Sequence, residues 1–139
     1  MSRQLALDSF QLKLNLADRI KGIVAVAIAY LAIRLLKLNQ ITRIIRTAKH
    51  YCSREIDIED ANIAMEAVRQ ADFYFPGRLA CMEQSLAFVI FALMKRLSVT
   101  WCIGVKTDPF ESHAWVEVSH KPFREKEIVE RAFKKVWIV

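Results

Sequence analysis

With 139 residues, 54% of them hydrophobic and 26% charged, the chain excludes disorder and is long enough to bury one core. Its net charge of +6 divides evenly, with 11 Lys/Arg before Pro76 and 10 from Pro76 onward, so neither half is a dedicated polyanion binder. The three cysteines, Cys52, Cys81 and Cys102, have no CxxC spacing and no His/Cys cluster, which argues against a zinc site and a disulfide framework and for a reducing, cytoplasmic location.

The first segment, Met1 to Leu16, alternates Leu12, Leu14 and Leu16, which suits either a short strand or the entry to a helix. It lacks the grammar of a signal peptide. Asp18 is a good N-cap for the run DRIKGIVAVAIAYLAIRLLKLN, a helix of about 20 residues with Asn39 as its stop. The continuous apolar run from Ile23 to Ile33 is closed by Lys21 and Arg34 and falls short of the ~20 residues of a membrane span. The expectation is a helix buried on most sides, with docking on a membrane or a partner as the alternative.

Ile41, Ile44, Ile45 and Ala48 recur at helical spacing and mark an amphipathic second helix, with Arg43, Arg46 and Lys49 on its other face. From Arg34 to Arg54 no acidic residue occurs; this basic stretch reads as a solvated helix face before it reads as a contact for an acidic partner. A nucleic-acid partner is not expected, and membrane association is not favoured. A third helix opens after Asp57 and runs to Phe73, Tyr74 and Phe75, where Pro76 and Gly77 stop it. The fourth, from about Ala80 to Leu97, is apolar on nearly every side and belongs at the centre of the domain.

After it the period changes to two: Val99, Trp101, Ile103 and Val105 alternate with Thr100, Cys102 and Gly104 in a strand. A second strand covers His113 to Val118, a Ser-His-Lys turn reverses the chain, and Pro122 to Glu125 makes a short third. The tail is expected to form a helical turn and a terminal strand through Val136 and Val139. Together these elements predict one α+β domain over residues 1–139, with a helical layer over 1–75 and a catalytic core over 76–139 in which a helix packs on a small antiparallel sheet.

Two residues carry the chemistry. Cys81 falls in the first turn of its helix, where unpaired backbone N–H groups and the positive dipole end favour a thiolate. His113 shares a strand face with Trp115 and Glu117, and Ala114, Val116 and Val118 share the other. A cysteine opening a helix and a histidine at the mouth of a neighbouring strand suit acyl transfer, the imidazole taking the thiol proton and returning it to the leaving amine. Glu125, across the turn on the adjacent strand, is the preferred third residue over Glu117; Asp108 and Glu111 are fallbacks. Cys52 and Cys102 read as structural, and His50 and His120 lack such context. Arg78 is a candidate for binding peptide or for a surface ion pair.

The segments PGRLACMEQSLA and WCIGVKTDPFESHAWVEV, with a carboxylate twelve residues beyond the histidine, resemble the leader peptidase of lasso-peptide biosynthesis, in the transglutaminase-like branch of papain-type cysteine enzymes. The resemblance lies in residues 76–125. It implies Cys81 as nucleophile, His113 as general base and acid, and Glu125 where the family usually has an aspartate. It implies no cofactor and no metal. The chain is similar to the split form that lacks a leader-binding domain, so the implied partners are a precursor peptide, a small leader-recognition protein and an ATP-dependent macrolactam synthetase. Other transglutaminase-like acyl transfer or amide hydrolysis, and a non-catalytic docking subunit, are the alternatives.

Overall fold

A computed structural model describes residues 14–75, 81–107, 110–123 and 132–139. Among these residues, four helices, α1 (Leu16–Leu35), α2 (Leu38–Lys49), α3 (Ile58–Asp72) and α4 (Cys81–Met94), pack with a small antiparallel sheet, the α+β architecture expected. The strands are β1 (Arg54–Glu55), β2 (Leu97–Ser98), β3 (Thr100–Lys106), β4 (Glu111–Val118), β5 (Lys121–Pro122) and β6 (Lys134–Ile138).

Helix α1 starts three residues earlier than Asp18 as a cap suggests. The Asn15 side chain accepts a hydrogen bond from the Asp18 backbone N–H at 2.8 Å and is the true cap. Asp18 is instead buried in the first turn and paired with Lys95 at 2.9 Å. The helix ends at Leu35, and Asn39 lies inside α2 rather than stopping α1. Asp57 caps α3 as predicted, accepting from the Asp60 N–H at 2.8 Å.

The contact of α1 with α3 and α4 is built from small side chains. Gly22, Ala25 and Ala29 of α1 are buried, as are Ala61, Ala64, Ala67 and Ala71 of α3. A Cβ at Gly22 would lie 2.6 Å from the Ala67 carbonyl oxygen, so only glycine permits that approach. The ion pairs fix direction as well: Asp18 near the start of α1 meets Lys95 just beyond the end of α4, and Arg34 near the end of α1 meets Glu83 in the first turn of α4 at 3.2 Å. The two helices therefore run antiparallel.

One expectation is corrected here. Helix α1 is not buried on most sides: Leu16, Ile20, Val24, Ile28, Leu31 and Leu35 are exposed, and the inward face is mostly small, with Gly22, Ala25 and Ala29 beside Val26. Likewise Ile44 of α2 points to solvent, with Ile41 and Ile45 inside.

The sheet has the order β5-β4-β3-β6, antiparallel throughout, with the β3/β6 register shifting between Ile103 and Gly104. Trp101, Ile103, Ala114, Val116 and Val118 join Phe88 and Phe91 of α4 in the main core, so this face of the sheet rests on the central helix. Trp137 of the terminal strand donates to Thr42 Oγ of α2 at 2.6 Å. The β4–β5 reversal puts both Ser119 and His120 at positive φ, as a tight hairpin turn demands. A two-residue parallel pairing of β1 with β2, Arg54 opposite Leu97, has no counterpart in the sequence reading, because such short strands leave no periodic signal.

Candidate active site

Cys81 is the first residue of α4, and two interactions hold that end of the helix. Ser85, one turn on, donates to the Met82 carbonyl at 3.1 Å and accepts from the Trp101 indole N–H at 2.8 Å. This pins the first turn to β3 through two buried groups. Glu83, also in the first turn, adds a carboxylate at the positive end of the helix dipole and is held by Arg34.

His113 projects from the sheet face opposite the main core. Its ring stacks on Trp115 at 5.8 Å between centroids with 22° between planes, and lies 5.7 Å from Phe133. Trp115 and Phe133 form a second small cluster with the buried Cys102. Gly104 pairs with His113 across β3 and β4. A Cβ there would stand 2.6 and 2.9 Å from two carbons of the Trp115 ring and 3.0 Å from Phe133 Cβ. The missing side chain is thus what lets the indole lie over β3 and carry the histidine. Gly104→Ala is expected to cost about 1–3 kcal/mol, as overpacking does; a urea unfolding curve measures it.

A cavity of about 370 Å³ is bordered by both Cys81 and His113. Its walls come from Met65, Val68 and Arg69 of α3, Gln84, Ser85 and Phe88 of α4, Ala114 to Val116 of β4, and Phe123. Arg69 donates its Nε–H to Glu66 Oε2 at 3.1 Å, which balances the charge of a carboxylate that is itself buried. The cavity therefore offers an apolar slot with a few polar groups near its sulfur, the usual composition of a small-ligand site.

Of the candidates for the third residue, Glu117 and Glu111 lie within the described residues. Glu117 shares the His113 face, as expected, but its carboxylate accepts from the Trp115 indole N–H at 3.2 Å and pairs with Lys135 at 2.7 Å, so it serves the aromatic cluster. Glu111 pairs with Lys106 at 3.0 Å. Glu125, Asp108 and Arg78 lie outside the described residues. Of the other histidines, His50 caps the C-terminal end of α2 and His120 sits in the hairpin turn.

Burial, reinforced by the negative charge of Glu117, pushes the Cys102 thiol up to about 11. Burial also raises Cys52, whose Sγ lies 3.8 Å from the Ala48 carbonyl oxygen. Both fit the structural role expected of them. For Cys102 the folded value lies above the ordinary 9.0, so the native state binds more protons between the two values. The stabilisation it gives is complete below about pH 9 and is lost as pH rises towards about 11. The urea midpoint should accordingly fall less between those pH values in Cys102→Ala than in the wild type.

Gln84, Arg69 and the Trp115–Phe133 platform were missed by sequence reasoning. Gln84 had a signal, since it follows Cys81 by three residues and shares its helix face. Arg69 and Phe133 come from segments whose proximity only folding creates.

Cys81 at the start of α4 and His113 on β4 thus border one cavity. The chain belongs to the transglutaminase-like superfamily, whose model matches residues 23–137. No curated protein and no solved structure is significantly similar to it.

Proposed function

We propose that the protein is a cysteine peptidase that removes the leader from a ribosomally made lasso-peptide precursor. The observation that carries the reading is the shared cavity: Cys81 at the helix start and His113 on β4 border one apolar slot large enough for a peptide side chain. The superfamily membership supports cysteine-based acyl chemistry, and the motif resemblance over residues 76–125 favours the leader-peptidase branch.

In the proposed reaction His113 takes the Cys81 proton and the sulfur attacks the carbonyl carbon at the junction of leader and core. The C–S bond forms as the carbonyl π pair moves to oxygen, where N–H groups at the α4 N-terminus stabilise the oxyanion. The tetrahedral intermediate collapses, the C–N bond breaks, and His113 returns the proton to the departing core amine. Water, deprotonated by His113, then attacks the thioester carbonyl; the C–S bond breaks and the leader leaves with a free carboxyl group. Glu125 orients the imidazole in this scheme. A separate small recognition protein presents the leader, and an ATP-dependent macrolactam synthetase consumes the freed core.

The test is cleavage of a precursor peptide by the purified chain with its recognition protein, followed by mass spectrometry. The reading predicts a single cut between leader and core. Transfer of the acyl group to an added amine instead, with little hydrolysis, would favour a transglutaminase-type activity.

A further inference from the structure

We propose that α1 docks lengthwise on an anionic lipid surface through its outward aliphatic stripe. On an ordinary amphipathic helix the large apolar residues face the core. Here the inward face is mostly small, with Gly22, Ala25 and Ala29 beside Val26, while Leu16, Ile20, Val24, Ile28, Leu31 and Leu35 are 39–76% exposed. Successive members are three or four residues apart, so they line one face for about 28 Å at 1.5 Å per residue. A contiguous exposed apolar patch of that length marks an interaction surface.

Charge selects the occupant. From Arg19 to Lys49 the sequence has seven Lys/Arg and no acidic residue, and of the seven Arg34 is paired with Glu83. Exposed Arg19 and Arg34 stand at one edge of the stripe and Lys37 just beyond its end. A second copy of the chain would set these cations against their like. An anionic bilayer meets both features at once, since aliphatic side chains enter the acyl boundary while flanking cations reach the head groups. Phe73 and Tyr74, 81% and 73% exposed, line a cavity of about 240 Å³ with Arg19 and Ile23 beside the stripe, where interfacial aromatic residues are at home. Docking there is peripheral, because no helix among the described residues is long and apolar enough to cross a membrane. The Arg34–Glu83 ion pair links the far end of the docked helix to the first turn of α4.

The experiment is sedimentation of the purified chain with vesicles of phosphatidylcholine alone and of phosphatidylcholine containing about one-third phosphatidylglycerol. The wild type should pellet with the anionic vesicles and be released by salt. Ile28→Glu combined with Leu31→Glu should lower the partition coefficient about tenfold or more with an unchanged melting temperature, as both side chains point outward. Lys37→Gln should lower it about fivefold. The proposal is overturned if the wild type ignores anionic vesicles, or if the double variant binds them as the wild type does. It is equally overturned if the stripe proves to be a self-contact, seen as a dimer that the double variant dissociates.

Discussion

Cys81→Ala is expected to leave precursor peptide uncut, a loss of about 10⁴-fold or more in turnover, with melting temperature within a degree or two of the wild type. Among the described cavity residues no other carries a thiol, and the Ser85 hydroxyl is committed to Trp101 and Met82. The side chain is half-buried at the end of its helix, so truncation removes little packing. Mass spectrometry of the reaction, with circular dichroism as the folding control, separates lost chemistry from lost structure. Cleavage undiminished in Cys81→Ala would remove the peptidase reading and leave a docking role.

His113→Ala should lower turnover by about 10²–10⁴-fold, the range of a positioned general base. The ring also packs against Trp115 and Phe133, so the alanine variant should lose some stability as well. His113→Phe is the better control, because it keeps an aromatic ring on the platform and removes only the titratable nitrogen atoms. If the imidazole acts in the reaction, both variants lose turnover while only the alanine loses stability. Activity retained in His113→Phe would show the residue to be a member of the aromatic cluster alone. Comparison of Glu125→Gln with Glu117→Gln addresses the third position. The bonds of Glu117 to Trp115 and Lys135 predict that its replacement affects stability more than turnover.

Much of the core was legible as letters because its signals are local. Asp57 caps α3 where it was expected, and the change of period after α4 marks β3 and β4 with nearly the right bounds. Helix α4, Cys81–Met94, falls within the span expected from Ala80 to Leu97. The exposed side of α1 was hidden, since a run of Ile, Val, Ala and Leu has little amphipathic contrast and cannot declare which of its faces a neighbour will cover. That choice fell to small residues: Gly22 and the alanines of α1 and α3 admit a closer approach than Ile or Leu, so the large side chains were left outside.

The sequence by itself determined the order of the four helices and the main strands and the α+β class, and it proposed Cys81 and His113 for acyl chemistry, because capping, periodicity and motif spacing are properties of neighbouring residues. Only the tertiary structure decided that Ala114, Val116 and Val118 face α4 while His113 lies on Trp115 and Phe133, that both Cys81 and His113 open on one cavity, and that Glu117 is held by Lys135. Those outcomes depend on which surfaces meet. An alternating strand offers two faces of comparable merit, and the packing of a helix against one of them settles the matter.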